Sequence, residues 1–262
     1  MASPGSDLHA ERSEPVAPSN DPGRPPPLVL AHGFTQTGRL WGPFGEALAA
    51  DRPLVRVDLP GHAGSSAVRA DLPTSGDLLA AAGGTGPYDL LGYSLGARVA
   101  LHAALAHPER VRRLVLIGGT AGIEDAEARS RRRRRDEETA ESLERSGDLD
   151  GFLTGWLAAP MFAALRSPEK AERLRNTPAG LASSLRLAGS GTQEPLWGRL
   201  PGLMVPVLVV VGAADLRFAC LGDRMVRTLP LAVLSLVPGA GHAAHLEQPA
   251  LAALMVAQFL AG

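Results

Sequence analysis

The sequence predicts an open α/β fold: a mostly parallel sheet of about six strands, helices on both faces, and a helical insertion over one edge. Three observations carry that expectation. Short apolar, β-branched runs such as 205–211 recur with helical pattern between them, as in parallel sheets covered on both faces. A glycine-bracketed serine, Gly92-Tyr93-Ser94-Leu95-Gly96, joins the strand-like run 87–91 to the helix-like run 97–105. Between Gly118 and Leu203 the strand rhythm stops and only helical pattern remains.

Taken in order, residues 1–27 are rich in Pro, Ser, Gly and charge and end in Pro25-Pro26-Pro27, which predicts a disordered or extended tail. No strand is legible ahead of Leu28, so the sheet is expected to begin there. Strands are expected at 28–31, 53–57, 87–91, 111–117, 205–211 and 232–237. A short helix falls near 76–83, and Leu251, Leu254, Met255 and Phe259 mark a closing amphipathic helix. The chain then divides into a tail (1–27), a core (28–118 and 203–262) and a helical cap (119–202).

Composition narrows the function. A chain of 262 residues is ample for one domain with an insertion. Its net charge of −1 sets up no global field towards nucleic acid or a membrane surface. Lys170 is the sole lysine, so basic charge is carried by arginine, as a GC-rich genome would also produce. The single cysteine, Cys220, excludes an internal disulfide and a cysteine metal cluster. No apolar run would span a bilayer and no signal-peptide core is legible, which points to the cytoplasm. Oligomeric state, monomer or homodimer, is not legible.

G-x-S-x-G between a strand and a helix is the nucleophile elbow of α/β-hydrolase folds. The glycines permit a tight, strained turn that lifts the Ser94 hydroxyl clear of the sheet. The remaining triad members should follow as acid and then histidine. Asp215 lies just past the run 205–211, and His242 lies on the glycine-flanked loop after 232–237, both at the sheet edge where such folds bind ligands. Asp215 is equally suited to cap the helix after it, and His245 is the alternative base. His32-Gly33-Phe34, after the run 28–31, supplies a second loop, so the amides of Phe34 and Leu95 are the expected oxyanion donors; a plain tight turn is the other reading.

Arginines are the second clue. Arg98 lies one helical turn after Ser94, and helical side chains lean back towards the N-terminus, so its guanidinium can reach towards the pocket; a solvated surface arginine is the other reading. The run Arg131-Arg132-Arg133-Arg134-Arg135 is bracketed by acids, Glu124, Asp125 and Glu127 before it and Asp136, Glu137 and Glu138 after it. That is a solvated helix with i,i+4 pairs, Arg132 to Asp136 among them, rather than a nucleic-acid patch.

Here the residues carry a resemblance. His32-Gly33-Phe34-Thr35-Gln36-Thr37-Gly38, the elbow extended to Ala97-Arg98, and Arg132 four residues before Asp136 resemble the menaquinone-pathway branch of the α/β-hydrolases. So do Trp156 with Pro160-Met161-Phe162, Leu174-Arg175-Asn176 with Gly180-Leu181-Ala182, and the segment from Gly189 to Trp197. That branch is 2-succinyl-6-hydroxy-2,4-cyclohexadiene-1-carboxylate synthase, and the similarity covers about residues 28–260. Ala97, where the family more often has glycine, and the loop 213–218, less acidic than usual, are departures.

The resemblance implies an α/β-hydrolase fold whose triad hydrolyses no ester. Ser94, activated by His242 and Asp215, would take a proton from carbon of 2-succinyl-5-enolpyruvyl-6-hydroxy-3-cyclohexene-1-carboxylate, and pyruvate would leave. It further implies Arg98, Arg132 and Arg175 as ligands of the tricarboxylate, with Trp156, Tyr93 and His32 beside it. Core packing accounts equally well for Trp156 and Tyr93. No metal or organic cofactor is called for. The competing reading is a serine carboxylesterase on the same fold acting on a small anionic ester, since fold and triad do not fix the reaction.

Overall fold

In the computed structural model, which describes residues 7–14, 25–165 and 169–262, the apolar runs pair into one sheet. Its strands are β1 (Ala10–Ser13), β2 (Leu28–Ala31), β3 (Leu54–Val57), β4 (Tyr88–Tyr93), β5 (Val111–Ile117), β6 (Val207–Gly212) and β7 (Ala232–Val237), in the order β1-β3-β2-β4-β5-β6-β7. All pairs are parallel except β1 with β3. β2, β4 and β6 are buried at every residue, which explains why their sequences do not alternate.

The sheet therefore has seven strands rather than six, and the extra one lies inside the segment expected to be a tail. β1 reads Ala-Glu-Arg-Ser and shows no apolar signal, because an edge strand is held by its ladder rather than by a buried face. Flanking polar contacts fix it: His9 Nδ1 meets Asp58 Oδ2 at 2.9 Å, Arg39 Nε donates to Glu11 at 2.7 Å, and Arg12 donates to the Ala82 carbonyl at 2.7 Å. Residues 1–6 and 15–24 of the expected tail lie outside the described residues. The opposite edge, β7, carries no charge and leaves Val233 and Leu236 exposed.

Helices α1 (Gly42–Ala49), α2 (Leu72–Ala82) and α3 (Leu95–Ala106) alternate with the first strands. α2 begins earlier than its apolar pattern suggests, because Asp71 caps it by accepting from Thr74 N at 2.9 Å and Pro73 occupies its first turn. The insertion between β5 and β6 holds α4 (Ala126–Ser146), α5 (Leu149–Leu157), α6 (Lys170–Arg173) and α7 (Pro178–Ala188). Asp125, Asp148 and Thr177 cap α4, α5 and α7, and Gly147, at φ 63°, ends α4 in the left-handed conformation. Arg131–Glu127 and Arg132–Asp136 pairs run along α4, while Arg186 of α7 bonds Glu137 and Glu144 at 2.8 Å each. The arginine run is thus the ion-paired helix its charges predict.

After β6 come α8 (Leu216–Thr228), α9 (Ala244–Glu247) and α10 (Pro249–Ala261). One buried cluster lies where α2, α3 and α8 cover the sheet, the other where α1, α9 and α10 cover its second face. Among the described residues no helix is long and apolar enough to cross a membrane.

Candidate active site

The site is built where β4 turns into α3. Ser94 occupies that turn at φ 52°, ψ −104°, a conformation an L-residue holds only under constraint. The constraint is close packing: a Cβ on Gly96 would land on the Ala31 carbonyl oxygen, and one on Gly92 on the carbonyl of Gly96. Only glycines let α3 start so near β2, and the Ser94 amide is tied to the Ile117 carbonyl at 2.9 Å.

β6 and β7 deliver the other two members. His242 Nε2 lies 3.1 Å from Ser94 Oγ, and its Nδ1 lies 2.9 Å from Asp215 Oδ2. The other Asp215 oxygen accepts from Phe218 N at 3.2 Å, so one carboxylate both meets His242 and caps α8. The two readings of Asp215 describe one carboxylate. Burial opposes its ionisation, but bonds from His242 and the Phe218 amide, with the nearby charges of His242 and Arg217, outweigh that and hold its pKa below the usual carboxylate range. The His242 loop is braced by Glu247, which accepts from Gly241 N at 2.6 Å and Ala243 N at 3.0 Å, a support that nothing in the sequence advertised. His245, the alternative base, is fully buried in a box of Tyr93, Trp41 and Phe44, with no hydrogen bond to either ring nitrogen among the described residues. Burial pushes its pKa down to about 3.

Phe34 and Leu95 both line the cavity beside Ser94, and no described group accepts from the amide of either. Two free amides beside a nucleophile can stabilise an oxyanion. His32, expected beside the substrate, is instead a strut of that loop. It is wholly buried; Nδ1 bonds the Gly33 carbonyl at 2.8 Å and Nε2 accepts from Leu59 N at 3.0 Å, leaving nothing for a ligand. Its pKa falls to about 4, chiefly through burial.

The cavity under the cap has a volume of about 830 Å3, and Arg98, Arg132 and Trp156 line it together with Ser94 and His242. Arg98 is buried, donates to the Ala188 carbonyl at 2.7 Å and has no carboxylate partner among the described residues. Burial lowers its pKa to about 10, with Arg132 adding repulsion and Asp136 partly relieving it. Arg132 is steadied by Asp136 at 2.9 Å, and Arg135 also reaches the cavity. Trp156 packs edge-on against Phe34 at 5.0 Å between ring centroids, and its buried indole N–H has no partner among the described residues.

Arg175 is a correction. Its side chain lies outside, 41% exposed, paired with Glu172 at 3.4 Å beside Arg39 and Asp58. Arg173 takes the inward place: it is 3% exposed, donates to Thr35 Oγ1 at 2.6 Å, and lines a small recess with Tyr93, Ser94 and Trp156. Arg173 and Arg175, two positions apart at the end of α6, thus point to opposite sides, as residues two apart on a helical turn do. Tyr93 flanks the recess with its phenol pKa raised by burial.

A serine held above a sheet by two glycines, bonded in sequence to a histidine and an aspartate, is the arrangement found across one large enzyme family, and the sequence pattern of the α/β-hydrolase family matches residues 28–253. The chain belongs to the α/β-hydrolase family. Within that family it is 34% identical over 251 residues, covering 92% of this chain and 97% of the relative, to 2-succinyl-6-hydroxy-2,4-cyclohexadiene-1-carboxylate synthase of Klebsiella pneumoniae. Among solved α/β-hydrolase structures it is similar to MenH from S. aureus, with a TM-score of 0.87 and 26% identity over 97% of this chain and 98% of that one. A malate-bound thermophilic esterase from Thermogutta terrifontis is also similar, with a TM-score of 0.78 and 26% identity over 97% of this chain and 93% of that one.

Proposed function

We infer that this α/β-hydrolase is a carbon–oxygen lyase of menaquinone biosynthesis that acts in the cytoplasm. It converts 2-succinyl-5-enolpyruvyl-6-hydroxy-3-cyclohexene-1-carboxylate to 2-succinyl-6-hydroxy-2,4-cyclohexadiene-1-carboxylate and pyruvate. The observation that carries this reading is Arg98, a buried guanidinium without a carboxylate partner among the described residues, in the same cavity as the triad. A neutral ester gives no reason to bury such a charge, and a small anionic ester would engage one guanidinium, whereas Arg98 shares its cavity with Arg132 and Arg135, as suits a polycarboxylate.

In the proposed reaction His242 takes the Ser94 proton as Ser94 Oγ removes a proton from substrate carbon. The electron pair left behind is held as an enolate facing the Phe34 and Leu95 amides. It then forms the new ring double bond as the ring carbon–oxygen bond breaks. The departing enolate of pyruvate takes up a proton and becomes the ketone. Arg98, Arg132 and Arg173 bind carboxylates, and Asp215 keeps His242 in the required tautomer and supports its cationic form.

The test is direct. Purified protein should release pyruvate from the enolpyruvyl substrate, followed through lactate dehydrogenase, and barely cleave 4-nitrophenyl acetate. Rapid ester cleavage without pyruvate would assign the site to a carboxylesterase, the reading the similar esterase structure favours.

A further inference from the structure

A single side-chain amide from the cap holds two strained backbone positions of the core. Thr35 at φ 68° and Ala63 at φ 36° are two of four non-glycine residues with positive φ among the described residues; Ser94 is another. For a β-branched residue such as Thr35 that conformation persists only where neighbours over-determine it. Asn176 Nδ2 donates to the Thr35 carbonyl at 2.8 Å and also to the Arg173 carbonyl at 2.8 Å, while its Oδ1 accepts from Ala63 N at 3.0 Å. The side chain is buried, and both of its donor hydrogens and its acceptor oxygen are engaged by these groups. Thr35 is otherwise tied through its amide to His62 Nε2 at 3.3 Å and through its hydroxyl to Arg173.

Phe34, whose amide is a proposed oxyanion donor, sits between two fixed neighbours. On one side Gly33 is locked within the loop itself, its amide donating to Gln36 Oε1 at 2.8 Å. On the other, Thr35 is held largely from the cap. We propose that Asn176 is a positioning residue for catalysis: by fixing Thr35 from the cap, it aims the Phe34 amide and makes a seated cap the condition for a complete oxyanion pocket. This rests on the assignment of Phe34 as an oxyanion donor, but not on which substrate the enzyme takes.

Two variants separate the role from bulk stability. Asn176→Asp is isosteric and keeps the acceptor for Ala63, yet sets a carboxylate against the Thr35 carbonyl; Asn176→Ala removes all three bonds without adding bulk. Thermal melts and circular dichroism identify the folded variant on which the result is read. In it, kcat should fall about 10- to 100-fold with KM within about threefold, as for loss of a transition-state contact. Phenylboronic acid, whose tetrahedral Ser94 adduct places an oxygen in the oxyanion pocket, should bind more weakly by a similar factor. Unchanged kcat and boronate affinity would overturn the proposal, as would a rise in KM alone. The boronate titration needs no natural substrate, so it stands even if the wild-type enzyme releases no pyruvate.

Discussion

At the scale of single residues, the site depends on which guanidinium groups face inward. Arg98→Ala should lose about 2–5 kcal/mol of transition-state or substrate stabilisation, read as the fall in kcat/KM for pyruvate release. Arg173→Ala should lower the same ratio at least about tenfold, whereas Arg175→Ala, which breaks only an exposed pair with Glu172, should stay within about twofold. A reversed order would return Arg175 to the site. Ser94, Asp215 and His242 were legible because each lies on the short loop or turn just past a strand's C-terminal end, where the chain offers few alternatives. Arg173 was not, because in a one-turn helix the inward face is set by tertiary packing rather than by local pattern. His32 misled for the opposite reason: a histidine in a functional loop looks the same in sequence whether its nitrogens face a ligand or the backbone.

At the scale of elements, the elbow is the least tolerant part of the fold. Gly96→Ala should leave little folded, active protein, since the new methyl meets the Ala31 carbonyl and α3 cannot recede without losing β2. Gly198→Ala meets nothing nearby and should shift stability by no more than about 0.5 kcal/mol. Comparable melting of the two variants would contradict this account. The buried strands and long helices were readable from apolar pattern alone. β1 was not, because four polar residues on a sheet edge bury no apolar face, and the start of α2 was hidden in a cap rather than in its periodicity.

At the scale of the molecule, four histidines are buried in the neutral form: His32 and His102 with pKa values near 4, and His62 and His245 with theirs near 3, in each case mainly through burial. A lowered folded-state pKa means the unfolded chain binds protons first. The stability these residues carry is complete above about pH 6.5 and is lost as pH falls from there towards 3 to 4. At pH 5 each costs about 2 kcal/mol, so together they approach the whole stability of an ordinary domain. Melting curves from pH 7.5 to 4.5 should show Tm falling steeply below about 6.5; a flat profile to pH 5 would exclude neutral burial. The two margins of the sheet also differ in kind. β1 is guarded by Glu11 and Arg12, whereas β7 presents uncharged backbone beside bare Val233 and Leu236. When this enzyme is heated or concentrated, the first clumps should therefore nucleate along that unguarded margin, cross-strand between molecules, while the charged margin stays inert.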